Sequence, residues 1–205
     1  MKTEEAALIE RSQGGDLEAF NALVLAYQVQ VYNLCLRMLG SPQAAEDATQ
    51  EAFIAAYRAV SRFRQGSFRA WLLRIAANAC YDELRRRRSR PQLPLEASTE
   101  DERAVAELPA SDEPPDQRAE RLELARLLRE GLVTLPPDQR LAVILRDVQG
   151  FAYEEVAEVT SASLGTVKSR ISRGRAAMRE FLLARGELLP SRFRFSGEGD
   201  DHALV

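Results

Sequence analysis

Apolar side chains recur at three- and four-residue spacings along most of this chain, and alternating β-branched runs are scarce. That periodicity predicts helices almost throughout. Thr3 to Ser12 reads as a short helix with Ala7, Leu8 and Ile9 inward, broken by Gly14-Gly15. Asp16 is a fitting cap for the next helix, whose stripe is Ala19, Phe20, Leu23, Val24, Tyr27, Val31, Leu34 and Cys35, and Gly40 ends it. Ser41-Pro42 supplies a cap and a first-turn proline for a helix running to about Val60. Its core face is Ala45, Ala48, Ala52, Phe53, Ala56, Tyr57 and Val60; Asp47, Gln50, Glu51 and Ile54 form a second, mostly polar face. A loop mixing aromatic and basic residues, Ser61 to Arg69, leads into a long helix from Ala70 to about Arg88. Trp71, Leu72, Ile75, Ala76, Ala79 and Leu84 are its apolar positions.

The periodicity then stops. Residues 89–115 hold Pro91, Pro94, Pro109, Pro114 and Pro115 among many acids, the composition of a linker. It resumes from Asp116 to about Val133, with Leu122, Leu124, Ala125, Leu128 and Leu132 apolar. Another helix is expected from Gln139 to Val148, with Leu141, Ile144 and Leu145 inward. The fold class is therefore all-α. Two small helical domains, 1–88 and 116–185, are joined by an acidic proline-rich linker over 89–115 that allows them to sit far apart. A tail over 186–205 is expected to be disordered.

The last part of the second domain carries the clearest chemistry. Residues 152–159 read as a short helix with Val156, Ala157 and Val159 inward, and Thr160-Ser161-Ala162-Ser163 is a polar break. The helix that follows has two faces. Leu164, Val167, Ile171, Gly174, Met178 and Phe181 form an apolar stripe with one small member; Lys168, Arg170, Arg173, Arg175 and Arg179 cover the rest, among the hydroxyls of Thr166, Ser169 and Ser172. Long cations reach phosphates and guanine edges, and short hydroxyls allow close backbone approach. Short helix, tight turn and basic second helix is the layout of a helix-turn-helix, whose second helix enters the major groove. The plainer reading is a helical hairpin with a solvated basic face.

Composition narrows the function mainly by exclusion. Cys35 and Cys80 are the only cysteines, each inside an apolar helical pattern, which suits buried small residues. His202 is the only histidine and lies in the polar tail. Zinc spacing, a nucleophile–histidine pair and a glycine-rich phosphate loop are all missing from the sequence, so neither an enzyme nor a cofactor is expected. An unbroken apolar run of the ~18 residues needed to span a membrane is also missing, and the first residues do not resemble a signal peptide, so a cytoplasmic protein is expected. The net charge of −3 conceals an alternation: +3 over 1–90, −6 over 91–135, +3 over 136–195 and −3 over 196–205. Two basic modules are thus separated by an acidic stretch. In the first, Phe63, Phe68 and Trp71 interleave with Arg64, Arg69 and Arg74. Unpaired bases can stack on such rings while phosphates meet the cations. Trp71 suits a core better than a stacking platform.

Two stretches together resemble regions 2 and 4 of the sigma-70 family, in particular its small extracytoplasmic-function (group IV) members. The first is Ala45-Glu46-Asp47-Ala48-Thr49-Gln50-Glu51-Ala52-Phe53 followed by Phe68 to Asn78. The second is Leu135-Pro136-Pro137-Asp138-Gln139-Arg140, Tyr153 to Ala157, and Gly165-Thr166-Val167-Lys168-Ser169-Arg170. The resemblance implies a subunit that binds core RNA polymerase and directs it to promoter DNA. Asp47, Gln50, Glu51 and Phe53 would dock on the polymerase, on the β′ clamp helices, with the β subunit also in contact with the protein. Phe63, Arg64, Phe68, Arg69, Trp71, Arg74, Asn78 and Asp82 would read and open the −10 element, with Asn78 at a flipped base. Arg146, Tyr153, Glu154, Thr166, Lys168, Ser169, Arg170 and Arg173 would lie on the −35 element, and a cognate anti-sigma factor is a further implied partner. Two departures stand out. Ala152 replaces the Ser or Thr that often caps the Tyr153 helix, and Gly174 sits inside the recognition helix, each worth up to about 1 kcal/mol locally. A stand-alone helix-turn-helix regulator would explain 136–185 equally well but leaves 42–88 unexplained; a helical adaptor and a DNA-acting enzyme fit less of the chain.

Overall fold

Helix starts in this protein are set by side chains that satisfy the first amides. The computed structural model describes residues 2–64, 66–89 and 115–185. Among these are eight α-helices and no strand: α1 (Lys2–Gln13), α2 (Leu17–Leu39), α3 (Pro42–Ala59), α4 (Phe68–Ser89), α5 (Pro115–Thr134), α6 (Pro137–Val143), α7 (Tyr153–Thr160) and α8 (Leu164–Leu183). The linker expected over 89–115 and the tail over 186–205 fall, apart from Ser89 and Pro115, outside the described residues. Asp16 accepts from the Ala19 amide at 3.0 Å and Ser41 from the Ala44 amide at 3.4 Å, as the sequence leads one to expect. Ser67 accepts from the Ala70 amide at 3.2 Å, which starts α4 at Phe68, two residues before the expected position.

The first module packs α2, α3 and α4 around one core. Ala45, Ala48, Ala52 and Ala56 line the inner side of α3, and their small side chains let α2 and α4 approach closely. Val31, Leu34 and Cys35 of α2 meet Leu72, Leu73, Ala76, Ala77 and Cys80 of α4 in the same core. By length and composition alone α2 is apolar enough to cross a membrane, although polar residues interrupt it and no unbroken apolar run is present. Its apolar side is instead spent on this core. Cys35 and Cys80 are buried, as expected; a hydrogen bond to Cys35, together with burial, pushes the Cys80 thiol well above its ordinary range.

Tyr27 ties α1 to α2 by donating to Glu5 Oε1 at 3.0 Å. Burial, aided by that bond, pushes its hydroxyl up to about 12 from 10.0. The neutral phenol is thus favoured in the folded chain. Its contribution is intact below pH 10 and is lost as pH rises toward 12. Tyr27→Phe should therefore flatten the fall in stability across that window, as measured by urea unfolding at a series of alkaline pH values. An unchanged slope would show that other groups set it.

In the second module α6 runs without a break into a π-helical turn, Ile144–Val148. Gln149 N–H donates to Ile144 O at 2.9 Å, and Phe151 N–H to Leu145 O at 3.0 Å. Leu141, Ile144, Leu145, Phe151, Val156, Val167 and Ile171 form its core. Four expected inward positions are corrected. Leu128 is 37% exposed because α5 turns Leu127 inward instead; Leu164 is 37% exposed because the first turn of α8 overhangs the core; Tyr57 is 42% exposed, its ring meeting only the margin of the core at Phe20; Ala7 is exposed on α1.

The two modules touch, although a linker of this length would allow them to sit far apart. Arg140 of α6 is 5% exposed and donates to Met38 O of α2, as well as to Val133 O and Leu135 O of its own module. Met38 lies in the last turn of α2, where carbonyls lack intrahelical partners and the dipole is negative, so a cation is favoured there. Gly40 ends α2 with φ 73°, a left-handed conformation that favours glycine. A Cβ at Gly40 would lie 2.7 Å from Val133 Cγ2, so its absence also lets α5 approach.

Candidate nucleic-acid interface

The basic helix is presented by packing on its opposite side. Val167, Ile171 and Gly174 are buried, and Gly174 meets α6 directly: a Cβ there would lie 2.6 Å from Val143 Cγ2. With that side fixed, Thr166, Lys168 and Arg173 are exposed. The turn before it is sharp because Ser161 adopts φ 51°, in the left-handed region. Ser163 then caps α8, accepting from the Thr166 amide at 3.2 Å. At the start of α7, Ala152 offers no capping side chain, but Glu155 reaches back to accept from the Ala152 amide at 2.8 Å. The expected weak start is thus half repaired.

Several cations of this face are already oriented by neighbours. Arg173 donates to Ser169 Oγ at 2.5 Å, and Arg175 lies 2.6 Å from Asp147. Arg146 donates to Phe151 O at 2.9 Å and stacks over the Tyr153 ring at 4.8 Å. Tyr153 is thereby half-buried while Glu154 beside it is exposed. Arg170 is paired with Asp138 at 2.7 Å, and its side chain is only 24% exposed. Held in this way, the guanidiniums have fewer rotamers to lose on meeting a polyanion.

On the first module the aromatic residues close on one another. Phe63, Phe68 and Trp71 form a triangle with ring centroids 5.3 to 5.6 Å apart, and Tyr27 adds a fourth ring 5.7 Å from Phe68. Phe68 is 3% exposed, so its ring belongs to the core; Phe63 and Trp71 are half-buried at its edge. Gln13 pins the loop by donating to Phe63 O at 2.5 Å, and Arg64 stays exposed. Arg69 turns toward the other module instead. It donates to Gln149 O at 2.5 Å, and its guanidinium sits 4.2 Å from the centroid of the Phe151 ring.

Arg74 and Asn78, one turn apart on α4, are both exposed and line a cleft of about 230 Å³ together with Thr160, Ser161 and Arg170. Asp82, further along α4, pairs with Arg85. On α3, Asp47 and Gln50 are exposed beside Ile54, whereas Glu51 accepts from Arg86 of α4 at 3.0 and 3.1 Å. Phe53 is half-buried against the core, which leaves only part of its ring for a partner. Sequence reasoning missed the residues of the joint between modules: Gln30, Tyr81, Asp138, Arg140 and Gln149. They read as ordinary surface polar positions or helix starts, and only Arg140, one residue ahead of an apolar run, carried any hint. Among the described residues no group of three or more His, Cys, Asp and Glu could hold a metal ion.

Comparison with known proteins finds a family match on each module. The family model for sigma-70 region 2 matches residues 23–90 and that for sigma-70 region 4 matches residues 125–178. The chain is 38% identical over 182 residues to the RNA polymerase sigma-H factor of Pseudomonas aeruginosa, covering 85% of this chain and 92% of that protein. It is 39% identical over 166 residues to the ECF RNA polymerase sigma factor SigE of Mycolicibacterium smegmatis, covering 81% of this chain but 62% of that longer protein. The fold is similar to that of the sigma factor RpoE from Bartonella quintana, solved with the anti-sigma factor NepR, at a TM-score of 0.62 and 27% identity, covering 81% of this chain and 98% of that one. A helical module with an exposed polar α3 face, joined in this order to a helix-turn-helix with its basic side outward, has the family's two regions in place, and the chain belongs to the ECF branch of the sigma-70 family of RNA polymerase sigma factors.

Proposed function

We propose that this protein binds core RNA polymerase in the cytoplasm and directs it to a specific set of promoters, acting as a specificity subunit without a catalytic centre of its own. The single observation that carries this reading is the co-occurrence, in order, of the two matched regions on two packed modules. A stand-alone helix-turn-helix regulator leaves the matched 23–90 segment without a purpose. The exposed strip of Asp47 and Gln50 beside Ile54 is the docking surface for the polymerase β′ clamp helices, with the β subunit reached elsewhere. Arg74 and Asn78 face the −10 element, and the edges of Phe63 and Trp71 can support an unstacked base, which costs a few kcal/mol to extrude. The aromatic surface left outside the core is small, so opening the duplex depends on the polymerase. Thr166, Lys168, Arg170 and Arg173 read the −35 element, with Arg146 and Tyr153 against its backbone. A cognate anti-sigma factor is a third partner, by analogy with the Bartonella complex.

The test is to add the protein to core polymerase with a genomic fragment library and map transcript starts. Starts clustered behind a shared two-part sequence are expected. Protection of palindromic DNA by the protein alone, with no specific starts, would favour the regulator. Two substitutions sharpen the assignment. Asp47→Ala with Gln50→Ala is expected to weaken holoenzyme assembly severalfold in a pull-down against core polymerase while leaving thermal stability unchanged. Normal assembly would remove this strip from the docking surface. Arg170→Ala is expected to lose ~1–3 kcal/mol of −35 discrimination if the guanidinium makes a bidentate base contact. Selection of the same promoters at the same strength by that variant would rule out base reading by Arg170.

A further inference from the structure

Three arginines line one cavity, and only one of them meets a carboxylate there. The cavity, of about 440 Å³, lies where α4, the start of α6 and α8 meet; Arg88 enters it from α4, and Arg170 and Arg173 from α8. Asp138 lines it too, but both of its carboxylate oxygens are engaged: Oδ1 accepts from the Tyr81 hydroxyl at 2.9 Å and Oδ2 from Arg170 at 2.7 Å. Arg88 and Arg173 are exposed, and among the described residues neither has a carboxylate within ion-pair distance. Arg173 bonds instead to the neutral Ser169, through its carbonyl and its hydroxyl. We propose that Arg88 and Arg173, one from each module, bind a small ligand carrying a diphosphate group, which sits in this cavity and bridges their guanidiniums.

A guanidinium stays charged at physiological pH and presents a planar fork of donors that matches a phosphate bidentately. Two such forks without carboxylate partners, on the walls of one cavity, suit a ligand with two linked anionic groups. A lone phosphate has room for only one of them as a full partner. A diphosphate between them also offsets the repulsion of cations that share so small a space. Asp138 does not cancel the site, since Arg170 already balances its charge. The volume lies within the ≈ 300–1,000 Å³ of small-molecule sites and equals roughly fifteen waters at their liquid volume. It has room for a small ligand and none for a duplex. Pro136 and Pro137 line the same cavity; lacking an amide hydrogen, they add ring surface rather than donors. Recognition of the anion therefore falls to the two arginines, and the prolines offer an apolar face to whatever the diphosphate carries. No contact with DNA or polymerase enters this inference, so it does not depend on the promoter-reading assignment.

The test is isothermal titration calorimetry of the full chain at low salt, with inorganic pyrophosphate and, separately, with GDP. One saturable site per chain is expected. Tighter binding of GDP than of pyrophosphate would identify a nucleoside-borne diphosphate, and the reverse an inorganic one; either result supports the site. Inorganic phosphate is expected to bind about tenfold more weakly than pyrophosphate or worse. Arg88→Gln and Arg173→Gln should each weaken diphosphate binding about tenfold, through loss of one set of charge-assisted hydrogen bonds. Both side chains are exposed, so thermal midpoints by circular dichroism should stay unchanged. Arg62→Gln, at an exposed arginine elsewhere on the first module, should leave the affinity as it is. No saturable binding of either diphosphate, or binding that survives both pocket substitutions, would overturn the site. So would equal weakening by Arg62→Gln, which would mean general attraction to cations. Phosphate bound as tightly as pyrophosphate would overturn bridging by two arginines. A protein that binds diphosphate as expected but directs no promoter-specific starts would keep this site and lose the promoter reading.

Discussion

Arg140→Met is expected to lower the stability of the full chain by about 3 kcal/mol. Hydrogen bonds from a charged donor are worth ≈ 1.5–3 kcal/mol each, and Arg140 makes three, to Met38 O, Val133 O and Leu135 O. Their sum overstates the effect, because burying the guanidinium opposes it: burial lowers the Arg140 pKa, and its Nε is buried without a partner. A buried ion pair can often be exchanged for apolar residues at little loss. That does not apply here, because the acceptors are backbone carbonyls and stay in place whatever side chain replaces the arginine. Methionine keeps the stem but strands the carbonyls. For a chain of this length the change corresponds to a drop of about 10 °C in Tm, read by circular dichroism. A midpoint within error of the unmodified protein would mean that these carbonyls find other donors.

The second large effect is one of sign. Gly→Ala inside a solvated helix normally stabilises by up to ~1 kcal/mol. Gly174→Ala is expected to destabilise instead, by about 1–2 kcal/mol. A Cβ at this position meets Val143 Cγ2 at 2.6 Å and Gln139 O at 3.4 Å, and a β-branched valine has little rotamer freedom with which to yield. The strain would push α8 off α6 and tilt the exposed face that carries Lys168 and Arg173, so −35 affinity should fall with stability. Gly165→Ala serves as the control. It has nothing within 4 Å, and a few tenths of a kcal/mol in the stabilising direction is expected in urea unfolding. If both variants gain stability, the contact between α6 and α8 is looser than these distances indicate.

Local order was largely legible before any coordinates, because local order is what periodicity and caps encode. Asp16, Ser41-Pro42 and Gly40 bound α2 and α3 where the pattern placed them. The helix-turn-helix was equally plain, since Val156, Val159, Val167 and Ile171 are each apolar within a polar neighbourhood. Errors arose where two stripes competed. Leu124, Leu127, Leu128 and Leu132 on α5 define overlapping apolar faces, and only contact with α2 and α8 selects the one containing Leu127. The aromatic loop was read half correctly: ring and cation alternate along the chain, but Phe68 and Trp71 pack on each other, and Arg69 leaves the loop for Phe151. The joint between modules was barely legible, Arg140 ahead of its apolar run being the one hint. It is built from Arg69, Tyr81, Asp138, Arg140 and Gln149, residue types that ordinarily mark solvent, and no one-dimensional pattern distinguishes an arginine that reaches water from one that caps a distant helix.

The π-helical turn at Ile144–Val148 has a consequence for how this segment tolerates changes in length. A single π-turn holds one residue more than the α-helix would need to cover the same path. Removing one residue there would let the backbone relax to regular α-helical bonding, so the main chain itself has little to lose. Side-chain direction would change instead, since each residue of an α-helix advances about 100° around the axis. Arg146 would swing away from Phe151 O and the Tyr153 ring, and Asp147 away from Arg175. The segment thus behaves as a dial set one notch past the regular helix. Its setting aims one cation at α7 and one anion at α8, and a single-residue deletion would redirect that aim around an intact helical backbone.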